Sequence, residues 1–113
     1  MYTGKIIHDG EIKDVDRIIT NGKGGTLNLE ASLKVYTHSV TGFCWGYVGQ
    51  GPAQLALAIL CDHLGDNERA LAMHHEFMLK VITKLPQDSD FVLTDQQVES
   101  AISMIDIERM KRL

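Results

Sequence analysis

The chain has no surplus of basic residues, only two cysteines and two prolines, few aromatics and no long apolar run, and each shortage removes a class of function. With 11 Lys and Arg against 15 Asp and Glu, the formal charge is -4, which disfavours binding along a nucleic-acid backbone because that depends on clustered cations. No direct nucleic-acid partner is expected. The acids are interspersed with the bases, so acidic mimicry of DNA remains a minor reading. Cys44 and Cys61 would make one bridge at most, and no leader-like segment precedes them, so a reducing cytoplasm is expected. The longest apolar run, Leu55 to Cys61, falls well short of the ~20 residues that span a bilayer, and no membrane partner is expected.

What remains is enough for one domain. The 113 residues, 44% of them hydrophobic, can bury a real core, and residues 1–113 are read as a single unit. Tyr2 to His8 and Glu11 to Thr20 flank Asp9-Gly10, a strong hairpin signal. Asn21 to Gly25 reads as a flexible connection. Thr26 to Leu29 and Leu33 to His38 could each be extended, and Leu29 to Leu33 could equally hold a helical turn. The period of two predicts a strand over Phe43 to Tyr47, with Phe43, Trp45 and Tyr47 on one face.

From Pro52 the period changes. Pro52 to Leu64 is apolar at almost every position, as in a helix buried nearly all round, and Gly65 suits its end. Asp66 suits the cap of a second helix, whose packed face carries Ala70, Leu71, His74, Phe77, Met78, Val81, Ile82 and Leu85, with Arg69, Glu76, Lys80 and Lys84 toward solvent. Pro86 stops it. Phe91 to Leu93 is a short strand or an extended connector. Thr94-Asp95-Gln96-Gln97 has the pattern of a capping box, and the helix after it carries Val98, Ala101, Ile102, Ile105 and Met110 on one side. The expected class is α+β, an N-terminal antiparallel sheet of three to four strands packed on about three C-terminal helices.

The feature that most invites function is the passage from Gly42 to Leu60, where Gly46, Gly49 and Gly51 precede an apolar helix. Amides of Gly49, Gln50 and Gly51 at a helix N-terminus could accept a phosphate or carboxylate, Gln50 or Gln54 could hydrogen-bond it, and Trp45 or Tyr47 could stack on a base. These six residues are the candidate ligand site. The competing reading is a corner that needs glycine for geometry alone. Neither a P-loop nor a dinucleotide fingerprint fits, because no Lys-Ser or Lys-Thr follows the glycines and Pro52-Ala53 breaks the spacing.

No catalytic set is assigned. Cys44, His38 and Asp62 could be drawn together as nucleophile, base and orienter, but no nucleophile motif surrounds the cysteine. Asp14 with Asp16, and Asp88 with Asp90, read as solvated loop carboxylates. A zinc site from His38, Cys44, Cys61 and His63 is disfavoured, since Cys61 and His63 project roughly 200° apart on a helix, so no metal and no cofactor are assigned. His74 and His75 must face different ways, one packed and one in solvent.

GFCWGYVGQGPAQLALAILCDHLGDNERAL, with Leu85-Pro86 and Leu93-Thr94 after it, resembles an uncharacterised family of short bacterial and phage proteins, over His38 to Thr94. The resemblance implies a small accessory protein of phages or mobile elements. It leads to the expectation of a non-enzymatic binding protein, a counter-defence factor that occupies a host protein or sequesters a nucleotide-like signal in the host cytoplasm. An anion or nucleotide pocket at Gly49 to Gly51 is the first alternative, with or without enzymatic activity. A structural domain forming homo-oligomers through apolar helix surfaces is the second.

Overall fold

The computed structural model describes residues 1–9 and 12–112, with side chains described at 1–7 and 16–112. Strands β1 (Tyr2–Asp9) and β2 (Ile12–Thr20) form the expected antiparallel hairpin, with Thr3 opposite Thr20 and Lys5 opposite Ile18. The Asp9-Gly10 turn includes Gly10, which lies outside the described residues. Asn21 ties down the connection that follows: its side chain accepts the N–H groups of Lys23 and Gly25 at 3.0 and 3.1 Å. A bridge between Thr20 and Thr26 closes the turn.

Helix α1 (Leu29–Leu33) realises the helical alternative, capped by the Asn28 side chain on the Ala31 N–H at 3.2 Å. The strand expected over Phe43 to Tyr47 does not form. Gly42 and Gly46 sit at φ 139° and 88°, outside strand geometry, and the Gly46 N–H reaches the Ile82 carbonyl rather than a neighbouring strand. The third strand is instead β3 (Phe91–Leu93), which completes the sheet order β2-β1-β3. Gly4 on β1 lies under the Phe91 ring, where any side chain would overlap it.

Helix α2 (Gln50–Leu64) is the axis of the core, with every residue from Pro52 to Leu60 buried. Gly65 ends it in the left-handed conformation at φ 65°, and Asp66 then caps α3 (Asn67–Lys80) through the Arg69 N–H. Helix α3 does not continue to Pro86 as expected: it ends at Lys80, where Val81 leaves helical geometry at φ -121°, and a separate 3-10 turn, Ile82–Lys84, leads to Pro86. Helix α4 (Asp95–Lys111) starts with the complete capping box between Thr94 and Gln97.

Val98, Ala101, Ile102 and Ile105 of α4 are buried as expected. Met110 is not: it is 71% exposed, because it stands five residues after Ile105 and so projects roughly 140° away from it round the helix, while Arg109 takes the place facing α3. Arg69 is exposed as expected and pairs at the surface with Asp106 of α4 at 2.8 Å, while Lys80 and Glu76 are partly covered where they bridge α3 to α4, Lys80 to Glu108 at 2.7 Å and Arg109 to Glu76 at 3.0 Å. The architecture is therefore α+β, with the sheet against a helical set dominated by α2. Among the described residues, no helix is long and apolar enough to cross a membrane.

Candidate functional site

Between α1 and α2 the chain runs from Lys34 to Gly49 without regular secondary structure. A structureless stretch of this length in a compact domain is uncommon, and it needs partners for its backbone. Four anchors supply them. Gln54, fully buried inside α2, accepts the N–H of His38 at 2.6 Å and of Ser39 at 3.1 Å through Oε1. Its Nε2 donates to Ser32 Oγ at 2.9 Å and to the Tyr36 carbonyl at 3.0 Å. Both donors of this amide and two acceptor positions are thus engaged within the fold.

Trp45 is the second anchor. Its ring is fully buried, edge-on to Phe91, with the Arg17 guanidinium 5.3 Å from the ring centroid. Its indole N–H is shared between the carbonyls of Pro86 at 2.9 Å and Ser89 at 3.0 Å, so the segment is pinned to the loop that leads into β3. The third anchor joins His38 to His74 of α3, with their Nε2 atoms 2.7 Å apart. The fourth is the Gly46 N–H on the Ile82 carbonyl at 2.9 Å.

The glycines fit this arrangement. Gly46 combines φ 88° with a position against the Gln87 backbone that leaves no room for a side chain. Gly49 has extended backbone, and a methyl group there would come within 2.6 Å of the Tyr47 ring. At Gly51 a methyl group would stand 2.8 Å from Cys44 Cβ. All three permit close approach of the segment to its surroundings.

The six candidate residues therefore divide. Trp45 and Gln54 are sealed in the core with their polar atoms engaged, which withdraws them from any ligand in solution. Tyr47 and Gln50 face outward, and Gly49 and Gly51 lie half-buried between. Partial burial and a hydrogen bond with Cys44 push the Tyr47 hydroxyl upward from its ordinary pKa, opposed by the charge of Arg17.

The segment leaves four large side chains exposed: Tyr36, Val40, Tyr47 and Val48, by 52, 69, 38 and 65%. Sequence reasoning passed over Tyr36, Val40 and Val48. The available signal was the presence of large apolar residues in a stretch with neither helical nor strand periodicity, where no core face can be assigned to them.

Several acid-base groups elsewhere are engaged with one another. Tyr2 donates to Asp62 at 2.7 Å and Asn21 Nδ2 to the same carboxylate at 3.2 Å, at the edge of a cavity of about 440 Å³ that also touches Lys23, His63 and Asp95. Burial first, then the Asp62 carboxylate, push the Tyr2 hydroxyl far above the ordinary phenol range. His63 is bonded to Glu99. The imagined triad is not assembled, because His38 meets His74, Asp62 meets Tyr2, and Cys44 meets Tyr47. Nor are His38 and His63 brought together with the cysteines, both of which are free thiols. Among the described residues, no group of three or more His, Cys, Asp or Glu could hold a metal ion.

The model of a family described as a family of unknown function, DUF6166, matches residues 4–104, and the chain belongs to that family. The match reaches beyond the glycine corner to take in the N-terminal hairpin and most of α4. No curated protein and no solved structure matches the chain.

Proposed function

We propose that this family member is a non-enzymatic binding protein that grips a protein partner with the outward face of the Lys34–Gly49 segment. One observation carries the reading: the segment turns its polar anchors inward, onto Gln54, His74 and the Pro86–Ser89 loop, and leaves Tyr36, Val40, Tyr47 and Val48 outside. A segment fixed in advance loses little conformational entropy when it docks, and tyrosines with a rigid ring and a polar tip are effective anchors at interfaces. The partner that fits is a folded protein with an apolar cleft. The resemblance to short phage and bacterial proteins supplies the proposed setting, in which the chain occupies a host protein stoichiometrically.

The nucleotide reading has less to build on, since its stacking indole and one of its two glutamines are engaged in the core. The test is a capture experiment from host lysate comparing the wild-type chain with Val40→Asp/Val48→Asp. A protein retained by the wild type and lost by the folded variant supports the proposal. Identical captures from both, or a thermal shift with nucleotides alone that Gln50→Ala removes, would overturn it.

A further inference from the structure

The His38–His74 bridge holds more information than an ordinary hydrogen bond. His74 Nδ1 lies 2.6 Å from the Leu71 carbonyl, which can only accept, so that nitrogen carries the hydrogen. In neutral His74, Nε2 is then a lone pair, and the hydrogen in the 2.7 Å bridge belongs to His38 Nε2. His38 Nδ1 is left as the open nitrogen of the pair.

The placement of protons follows from that tautomer pattern. A proton on His38 Nδ1 leaves the bridge intact and strengthens it by making the donor cationic. A second must land on His74 Nε2, which sets two N–H groups and two positive charges against each other. Here we propose that the bridge is a proton-operated clasp on the Lys34–Gly49 segment, closed with zero or one added proton and opened by two.

The surroundings suit this. Besides His38, the groups acting on His74 are the Leu71 carbonyl and the neighbouring His75, and desolvation together with both imidazoles opposes its protonation. The Tyr36 ring lies 4.7 Å from the His38 ring, centroid to centroid. From α2, the neutral Gln54 reaches the His38 backbone. Lys34 and Glu68, opposite in sign, line the cleft on the Leu71 side. Among the described residues no carboxylate is bonded to either imidazole, so none of them neutralises the second charge where it forms. The clasp holds the inner side of the surface assigned above to a protein partner. Its effect on binding rests on that assignment, whereas its opening does not.

The experiment is a pH titration of the full chain by NMR, following imidazole nitrogens together with amide exchange at Tyr36 to Ser39. At neutral pH, His38 should appear as the Nε2–H tautomer and His74 as the Nδ1–H tautomer. As His74 becomes imidazolium, exchange at Tyr36 to Ser39, taken relative to the intrinsic amide rate at each pH, should quicken at least about tenfold, the change that follows one pH unit of unfavourable titration. In His74→Gln that acceleration should disappear. If both rings share one tautomer at neutral pH, or if both become cationic while these amides stay protected, the clasp is overturned. The wild-type readings decide this even if His74→Gln does not fold, and they do not change if Val40→Asp/Val48→Asp leaves partner capture intact.

Discussion

Gln54 Oε1 accepts the backbone N–H of His38 at 2.6 Å from within a helix that is closed to solvent around it. This one amide side chain, placed on the axis of the core, decides the path of a segment that has no secondary structure of its own. A buried polar group is tolerated only when its hydrogen bonds are made, and here the requirement works in both directions. The segment satisfies the glutamine, and the glutamine satisfies the segment.

Replacing Gln54 by Met keeps the volume and removes the bonds. Two N–H groups and one carbonyl lose this partner, and the Ser32 hydroxyl keeps its bond to the Leu29 carbonyl but no longer accepts from the amide. The expected loss is about 2 kcal/mol or more in urea unfolding. Limited proteolysis should shift toward cleavage between residues 34 and 42. Unchanged stability in this variant would show that the segment is held by packing rather than by this amide.

Gly46→Ala and Gly42→Ala separate two effects of the same substitution. Both residues have positive φ, but Gly46 also abuts the Gln87 backbone, whereas nothing lies within 4 Å of a Cβ built at Gly42. Gly42→Ala should lose roughly 1 kcal/mol, the conformational component alone. Gly46→Ala should lose clearly more, because backbone must move. Equal midpoints in denaturant would contradict the close approach.

The single tryptophan should report a dry interior, with blue-shifted emission in the native state. Trp45→Phe preserves an aromatic ring and removes the N–H shared by the Pro86 and Ser89 carbonyls. A loss of about 1–3 kcal/mol is expected, with the Gln87–Asp90 loop exchanging faster in hydrogen-exchange measurements. A neutral effect would mean that water replaces the indole without penalty.

Tyr2 gives a pH dependence with a definite sign. Its hydroxyl titrates higher in the folded chain than in the unfolded one, because of burial and then Asp62. Its contribution to stability is therefore complete below the ordinary tyrosine value, about pH 10, and is lost as the pH rises above it. Tyr2→Phe should flatten the alkaline limb of a stability profile. His74 runs the other way. Its pKa is lowered by burial, so its contribution is present above the ordinary histidine value of about 6.5 and declines as the pH falls below it.

Local signals read well wherever the physics is local. Gly65 and Asp66, at the join of α2 and α3, and the Thr94–Gln97 box act through neighbours three or four residues away, so their positions in the chain suffice. Phe43 to Tyr47 misled because alternation of apolar residues is necessary for a strand but does not provide one with a partner. Phe91 to Leu93 took the place beside β1. Met110 misled because it is apolar: its place five residues after Ile105 sets it roughly 140° from the buried stripe, off the packed face. At the glycine corner the residues were legible but their directions were not, and the indole and Gln54 face the core.

By itself the sequence determined the α+β class, the hairpin, the caps at Asp66 and Thr94, the stop at Gly65 and the buried character of α2, because propensity, capping and periodicity act over a few residues. Only the tertiary structure decided which strand completes the sheet, that Gln54 and Trp45 are internal anchors, that His38 meets His74, and which apolar side chains remain outside. Those outcomes join residues far apart in the chain, and the hydrogen bonds that select them exist only after the backbone has closed around them.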